Sequence, residues 1–182
     1  MDGSAAALNE FLKEVEQSAY RMAVLSISHR EDALDIVQES MMTLARKYSK
    51  RPTDEWRPLF FRILQNRIRD CYRRRRSYGK VFSLFGRARG DLEEQTPAEE
   101  MIPAPAVDNP QVRSELDTSQ EAVENALSLL PPRQREAFLL RSWEGLSGTE
   151  TAQAMECSEG SVKTHHSRAV RKLREILGAE WS

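Results

Sequence analysis

The sequence predicts an all-α protein: two small helical domains joined by a flexible acidic linker, the C-terminal one a helix-turn-helix. Three observations carry that prediction. Apolar residues recur at three- and four-residue steps through residues 8–76 and again from 119 to 177. No segment alternates with the period of two that marks a half-buried strand. Between the two periodic regions lies a stretch holding four of the eight prolines, Pro97, Pro103, Pro105 and Pro110. It buries too little apolar surface to offset the entropy of ordering. The expected boundaries are therefore 1–76 for the first domain, 77–119 for the linker and 120–182 for the second. With 182 residues in all, each domain has a thin core and leans on a partner for rigidity.

The first helix is expected from the stripe Leu8, Phe11, Leu12, Val15, Ala19, Met22 and Ala23, broken near Ser28. A second follows with Ala33, Ile36, Val37, Met41, Leu44, Ala45 and Tyr48 inward and Asp32, Asp35, Gln38 and Glu39 on the opposite face. The loop 49–54 punctuates the chain. A third helix runs from about Glu55 to Arg76, with Pro58 in its first turn, where no backbone donor is missed. Leu59, Phe60, Ile63 and Leu64 start its inward face.

In the second domain Ala122, Val123, Ala126, Leu127 and Leu130 form a stripe that Pro131-Pro132 ends. Arg133 to Trp143 reads as one helix. Ser147-Gly148-Thr149-Glu150 is a capping-box pattern opening the next. Met155-Glu156-Cys157 is a tight turn, Ser158 caps a long final helix, and Gly178 stops it.

Net charge is −1, but it is unevenly spread. Residues 1–90 carry 18 Lys/Arg against 11 Asp/Glu, residues 91–121 carry one against nine, and residues 122–182 carry eight of each. A basic block, an acidic connector and a balanced tail are three different electrostatic objects. No apolar run approaches the roughly 18 residues of a membrane span. The N-terminus lacks the basic start and apolar core of a signal peptide. Cys71 and Cys157 are too isolated to be a disulfide framework. A reduced, cytoplasmic setting without membrane insertion is the expectation.

Residues 146–174 are the strongest local signal. A short helix, a three-residue turn and a longer polar-basic helix describe a helix-turn-helix whose second helix fits the major groove. Ser161, Thr164, His165 and Arg168 share an outward face that reaches base edges, while Lys163, Arg171, Lys172 and Arg174 suit phosphates. In the third helix Trp56, Phe60, Phe61, Tyr72 and Tyr78 interleave with Arg57, Arg62, Arg67, Arg69 and the run Arg73 to Arg76. Rings beside cations suit splayed single-stranded bases, although some of the rings, Phe60 first by phase, are core. The acidic face of the second helix complements a basic helical partner. His166 falls inward and reads as a packed histidine. Cys157, His165 and His166 have no zinc spacing, and no P-loop, GxSxG or HExxH occurs. No catalytic residue, metal or cofactor is expected, and the chain does not read as an enzyme.

Four stretches together resemble bacterial RNA polymerase sigma factors. Residues 32–40, Asp-Ala-Leu-Asp-Ile-Val-Gln-Glu-Ser, resemble the helix that grips the clamp helices of the polymerase beta-prime subunit. Phe61-Arg62-Ile63-Leu64-Gln65-Asn66, with Asp70 and the arginine run, resembles the helix that melts and reads the minus-ten element. Leu129 to Arg135 and Gly160 to His165 resemble the domain that reads the minus-thirty-five element. Two domains and nothing else are similar to the extracytoplasmic-function (ECF) group.

The resemblance implies that Asp32, Asp35, Gln38 and Glu39 contact polymerase and that Trp56, Arg62, Asn66, Arg69, Arg73 and Arg74 meet promoter DNA. It also implies RNA polymerase core as partner, through the beta-prime clamp helices and beta flap, and leaves room for an anti-sigma factor. The linker would thread toward the template and RNA path. The position of His166 is usually apolar or aromatic in the family. Another reading of the same residues is an autonomous helix-turn-helix regulator that dimerises through its N-terminal helical domain. A third is an adaptor that binds no nucleic acid.

Overall fold

The computed structural model describes residues 2–84 and 115–178, with side chains described from 5 to 75 and from 121 to 178. The regular secondary structure of the described residues is all helical: α1 (Asp2–Ile27), α2 (Arg30–Tyr48), α3 (Thr53–Leu84), α4 (Glu115–Ser128), α5 (Pro132–Phe138), α6 (Gly148–Met155) and α7 (Glu159–Leu177). A five-residue π-helical stretch, Leu139–Trp143, continues α5. No helix among them is long and apolar enough to cross a membrane.

The expected stripes bury themselves. Val15, Ala19, Met22 and Ala23 of α1 meet Ala33, Ile36, Val37 and Leu44 of α2 and Phe60, Phe61, Leu64 and Ile68 of α3. Local chemistry sets the ends. Ser28 adopts a left-handed conformation (φ 57°) and donates its N–H to the Val24 carbonyl at 2.8 Å, which closes α1. His29 then caps α2, its Nδ1 accepting the Asp32 N–H at 3.3 Å. In the C-terminal half α4, α5 and α6 all pack on α7 through Leu127, Leu140, Met155, Val162, Ala169 and Leu173. The capping box at Ser147 is formed in both directions: the Glu150 N–H donates to Ser147 Oγ (3.2 Å) and the Ser147 N–H to Glu150 Oε2 (2.7 Å). Ser158 caps α7 by accepting the Ser161 N–H at 3.1 Å, and Gly178 (φ 78°) ends it.

Several expectations need correction. Helix α3 starts at Thr53, so Pro58 lies in the second turn and the helix does without one backbone bond there. It also continues past Arg76 to Leu84, and α4 begins at Glu115, so helix extends from both sides into the span read as linker. The remainder of that span, 85–114, lies outside the described residues. The helix expected from Arg133 to Trp143 changes pitch after Phe138, where the Glu144 N–H reaches back five residues to the Leu139 carbonyl (2.9 Å).

The two halves, read from sequence as separate domains, pack together. Helix α6 lies on α3 and α4 touches α1. The joint is polar. Arg57 reaches Glu14 Oε1 (2.5 Å) on one side and Glu144 Oε2 (2.9 Å) on the other. Arg69 Nη1 meets Glu136 Oε1 at 2.8 Å. The buried Arg135 guanidinium donates to the Leu25 carbonyl at the end of α1.

Candidate nucleic-acid and polymerase interface

Three helix faces gather the residues singled out from the sequence. The first is the outward side of α7. Val162, Ala169 and Leu173 anchor this helix in the core, which fixes the opposite side toward solvent. Lys163, Thr164, Arg168, Arg171 and Lys172 are exposed there, while Ser161 and His165 are half-buried at its edge. Thr164 Oγ1 bonds back to the Gly160 carbonyl (2.9 Å) and Lys172 pairs loosely with Glu175 (3.6 Å). Both are exchangeable surface contacts that a base or phosphate can displace. His166 is packed, as expected. Its ring stacks on Phe138 (centroids 6.1 Å apart, planes 13° apart) and its Nε2 lies 2.8 Å from Ser142 Oγ. Burial, helped by the nearby Arg141 charge, lowers its pKa and favours the neutral ring.

The second face is the outer side of α2. Asp35, Gln38 and Glu39 are exposed; Asp32 is half-buried, pairing with Arg75 (2.5 Å) and capped by His29. Glu39 is held by Arg67 of α3, which also bonds Thr43 Oγ1 at 2.9 Å. Among the carboxylates Leu34 and Met42 stand out, each 47% exposed. Reading the sequence missed these two. Their signal was phase: they are large apolar residues off the core stripe, at positions four residues either side of Gln38.

The third face belongs to α3, and it differs most from expectation. Trp56 is core, not a base platform. It is 2% exposed, tilts against Phe11 with centroids 5.9 Å apart, and offers no free ring face. Phe60 and Phe61 are likewise fully buried. The α3 phase turns these rings toward α1, where their large apolar area is removed from water. Arg73 and Arg74 are exposed. Arg62, Asn66 and Arg69 meet the C-terminal half, Arg62 with half of its side chain still in solvent. Glu156 accepts from Asn66 Nδ2 (3.3 Å) and lies 3.6 Å from both Arg62 and Arg69. Arg69 also reaches the Met155 and Ala154 carbonyls at 3.3 and 3.4 Å. Glu136, 7% exposed, bridges Arg69 and Arg133 (2.9 Å). Burial pushes its carboxyl upward, and the two guanidiniums oppose that push. Nothing local in the sequence marks Glu136 or Glu156 as partners of α3. Among the described residues no group of His, Cys, Asp and Glu is arranged to hold a metal, and both cysteines are free thiols.

A helix-turn-helix with an exposed polar-basic second helix, beside a helical bundle with an acidic-apolar outer stripe, is the architecture of a DNA-binding protein. The family model described as sigma-70, region 4, matches residues 120–173. The chain is 31% identical to the RNA polymerase sigma-E factor of Streptomyces coelicolor over 97% of its own length and 89% of that protein's. It is 29% identical to the ECF RNA polymerase sigma factor BldN of the same organism, covering 96% of this chain and 62% of that one. Among solved structures it is similar to the sigma factor RpoE of Bartonella quintana, crystallised with the anti-sigma factor NepR. That match has a TM-score of 0.66 at 25% identity and covers 94% of this chain and 97% of that one. The chain belongs to the sigma-70 family of RNA polymerase sigma factors, in its ECF group.

Proposed function

We propose that the chain binds RNA polymerase core as a monomer through the outer face of α2, reads the minus-thirty-five element with α7, and reads and melts the minus-ten element with α3. The observation that carries this is the α2 stripe. Leu34 and Met42 are exposed at 47% each beside Asp35, Gln38 and Glu39. Large apolar side chains ringed by carboxylates on an otherwise basic half suit a helical, basic partner surface, with the apolar residues as anchors and the charges as steering. In the family's pattern that surface is the beta-prime clamp helices, and the beta flap is the second polymerase contact.

On α7, Thr164, Arg168, His165 and Ser161 face base edges, and Lys163, Arg171 and Lys172 take phosphates. On α3, Arg62, Asn66, Arg69, Arg73 and Arg74 take the minus-ten strand, without Trp56. Neither half alone has a large DNA footprint. Held on a common platform, two weak contacts gain from effective concentration. The Bartonella relative was crystallised with an anti-sigma factor, and we propose a partner of that class here.

Gel filtration and promoter binding with purified core test the reading. A stoichiometric complex of one chain with core, and poor binding of free promoter duplex by the chain alone, are the expected results. A dimer that binds intact duplex tightly without core would favour the autonomous-regulator alternative.

A further inference from the structure

The polar residues of the α2 face are not all alike. Asp35 and Gln38 are exposed and have no side-chain partner among the described residues, whereas Asp32 and Glu39 are each gripped by an arginine of α3. We propose that Arg67 and Arg75 are positioning residues of the polymerase-docking face: each holds a carboxylate of α2 by one oxygen and leaves the other to a basic group of the partner. This rests on the reading above that the outer face of α2 docks on polymerase.

Arg67 uses both of its terminal nitrogens on α2. Nη1 donates to Glu39 Oε2 and Nη2 to Thr43 Oγ1 (2.9 Å), and the Thr43 hydroxyl donates in turn to the Glu39 backbone carbonyl (2.8 Å). One turn of α2 is thereby closed into a ring that restrains the Glu39 side chain and leaves Oε1 outward. Arg75 is likewise anchored at two points. Its Nη1 donates to the Ile27 carbonyl at the end of α1 (2.8 Å), where the orphan carbonyls of a helix favour a cation, and its Nη2 to Asp32 Oδ2 (2.5 Å). His29 lies 3.6 Å from the same oxygen.

The two grips are in register. Asp32 and Glu39 are seven residues apart and Arg67 and Arg75 eight, so each interval spans two helical turns, about 10.5 Å on α2 and about 12 Å on α3. The earlier acid meets the later arginine, as antiparallel helices require. Cys71, midway between the arginines on the same side of α3, is 7% exposed, so this side of α3 faces its neighbours in the fold. Fold stability does not account for the arrangement. Glu39 is 59% exposed and Asp32 and Arg75 are each 44% exposed, and pairs of that kind add little to a fold. A carboxylate immobilised before its partner arrives loses less side-chain entropy on binding. The arginines of α3 therefore divide: Arg67 and Arg75 serve α2, while Arg73 and Arg74 stay exposed for DNA.

The test follows binding of the full chain to immobilised core polymerase and reads association and dissociation separately. Arg67→Met and Arg75→Met keep the apolar stem and remove the fork. Each should raise the dissociation rate about fivefold, with association no slower and the melting temperature close to the parent's. Arg67→Lys, which keeps the charge and a donor, should recover part of the loss. Beside Glu39→Ala, Arg67→Met should add less than about twofold, because its effect passes through that carboxylate. Arg75→Met is judged in the same way against Asp32→Ala. Lys13→Met, which removes an exposed cation from α1, is the control and should leave both rates within about twofold of the parent. Unchanged dissociation of both arginine variants overturns the proposal, as does an Arg67→Met effect that persists in full beside Glu39→Ala. A promoter-opening defect of Arg67→Met that remains when core is saturated with the chain places Arg67 on DNA and overturns it too. Asp35→Arg separates the two layers. If core binds that variant as tightly as the parent, the α2 reading falls and the positioning with it. If core binds it weakly while the arginine variants bind like the parent, the positioning alone falls.

Discussion

The indole Nε1 of Trp56 donates to the backbone carbonyl of Tyr48 at 3.1 Å, tying the first turns of α3 to the last turn of α2 across the loop 49–52. The ring is thus fixed from both sides, by Phe11 and by this bond. Trp56→Ala should lower the stability of the folded chain by about 3–5 kcal/mol, because it empties a tryptophan-sized space and removes the indole bond to the Tyr48 carbonyl, which then keeps only the Arg51 N–H (3.0 Å). Thermal unfolding checks this. A variant as stable as the parent would return Trp56 to the surface role that its place among the arginines suggests.

The proposed polymerase face on α2 can be probed without disturbing the hydrophobic interior. Asp35 and Gln38 are exposed on α2 and Leu34 is half-exposed. Asp35→Arg should weaken core binding by about 1–3 kcal/mol while leaving the helical signal and melting temperature unchanged. Leu34→Ala should weaken it as well, through lost apolar burial. Competition with a labelled sigma factor for core measures both.

Two kinds of contact are expected along α7, and salt separates them. Arg168→Ala should cost about 1–3 kcal/mol of discrimination between promoter sequences. Lys172→Ala should weaken all sequences alike and lower the salt slope of binding by about one. Titrations of the polymerase holoenzyme on matched and mismatched minus-thirty-five sites at several salt concentrations read both quantities.

Acid should loosen the C-terminal half in two stages. His166 has its pKa lowered by burial from the ordinary 6.5, so the folded state binds its proton less readily than the unfolded chain. Stability is full above that ordinary value and declines as pH falls below it. Glu150 has its pKa lowered from 4.5, mainly by the Ser147 N–H and hydroxyl. Its contribution is present above 4.5 and is lost as pH falls through the lower folded value. His166→Phe should flatten the first decline and Glu150→Gln the second, while Ser147→Ala should cost about 1 kcal/mol at neutral pH. Melting temperatures measured from neutral to acidic pH decide each.

Local features of this chain were open to reading from the sequence. The break near Ser28, the Ser147 capping box, the turn at Glu156, the packed His166 and the buried Phe60 all depend on neighbours within a turn or two, or on helical phase. What phase could not settle was which rings of a helix with several apolar sides face inward. Trp56 and Phe61 joined the core because α1 lies across them, and nothing in the α3 sequence specifies where α1 lies. The joint between the halves was hidden for the same reason. Arg69 and Glu136, or Arg135 and Leu25, are brought together by packing, not by spacing. The π-helical stretch likewise has no sequence period of its own.

Transcription itself tests the central claim most directly. Purified core polymerase should be given a library of genomic fragments, with and without this chain, and its run-off transcripts mapped. Transcripts starting at a small set of sites that share upstream sequence, seen only when the chain is added, are the expected result. Identical transcripts in both reactions, together with tight binding of duplex DNA by the chain alone, would contradict it.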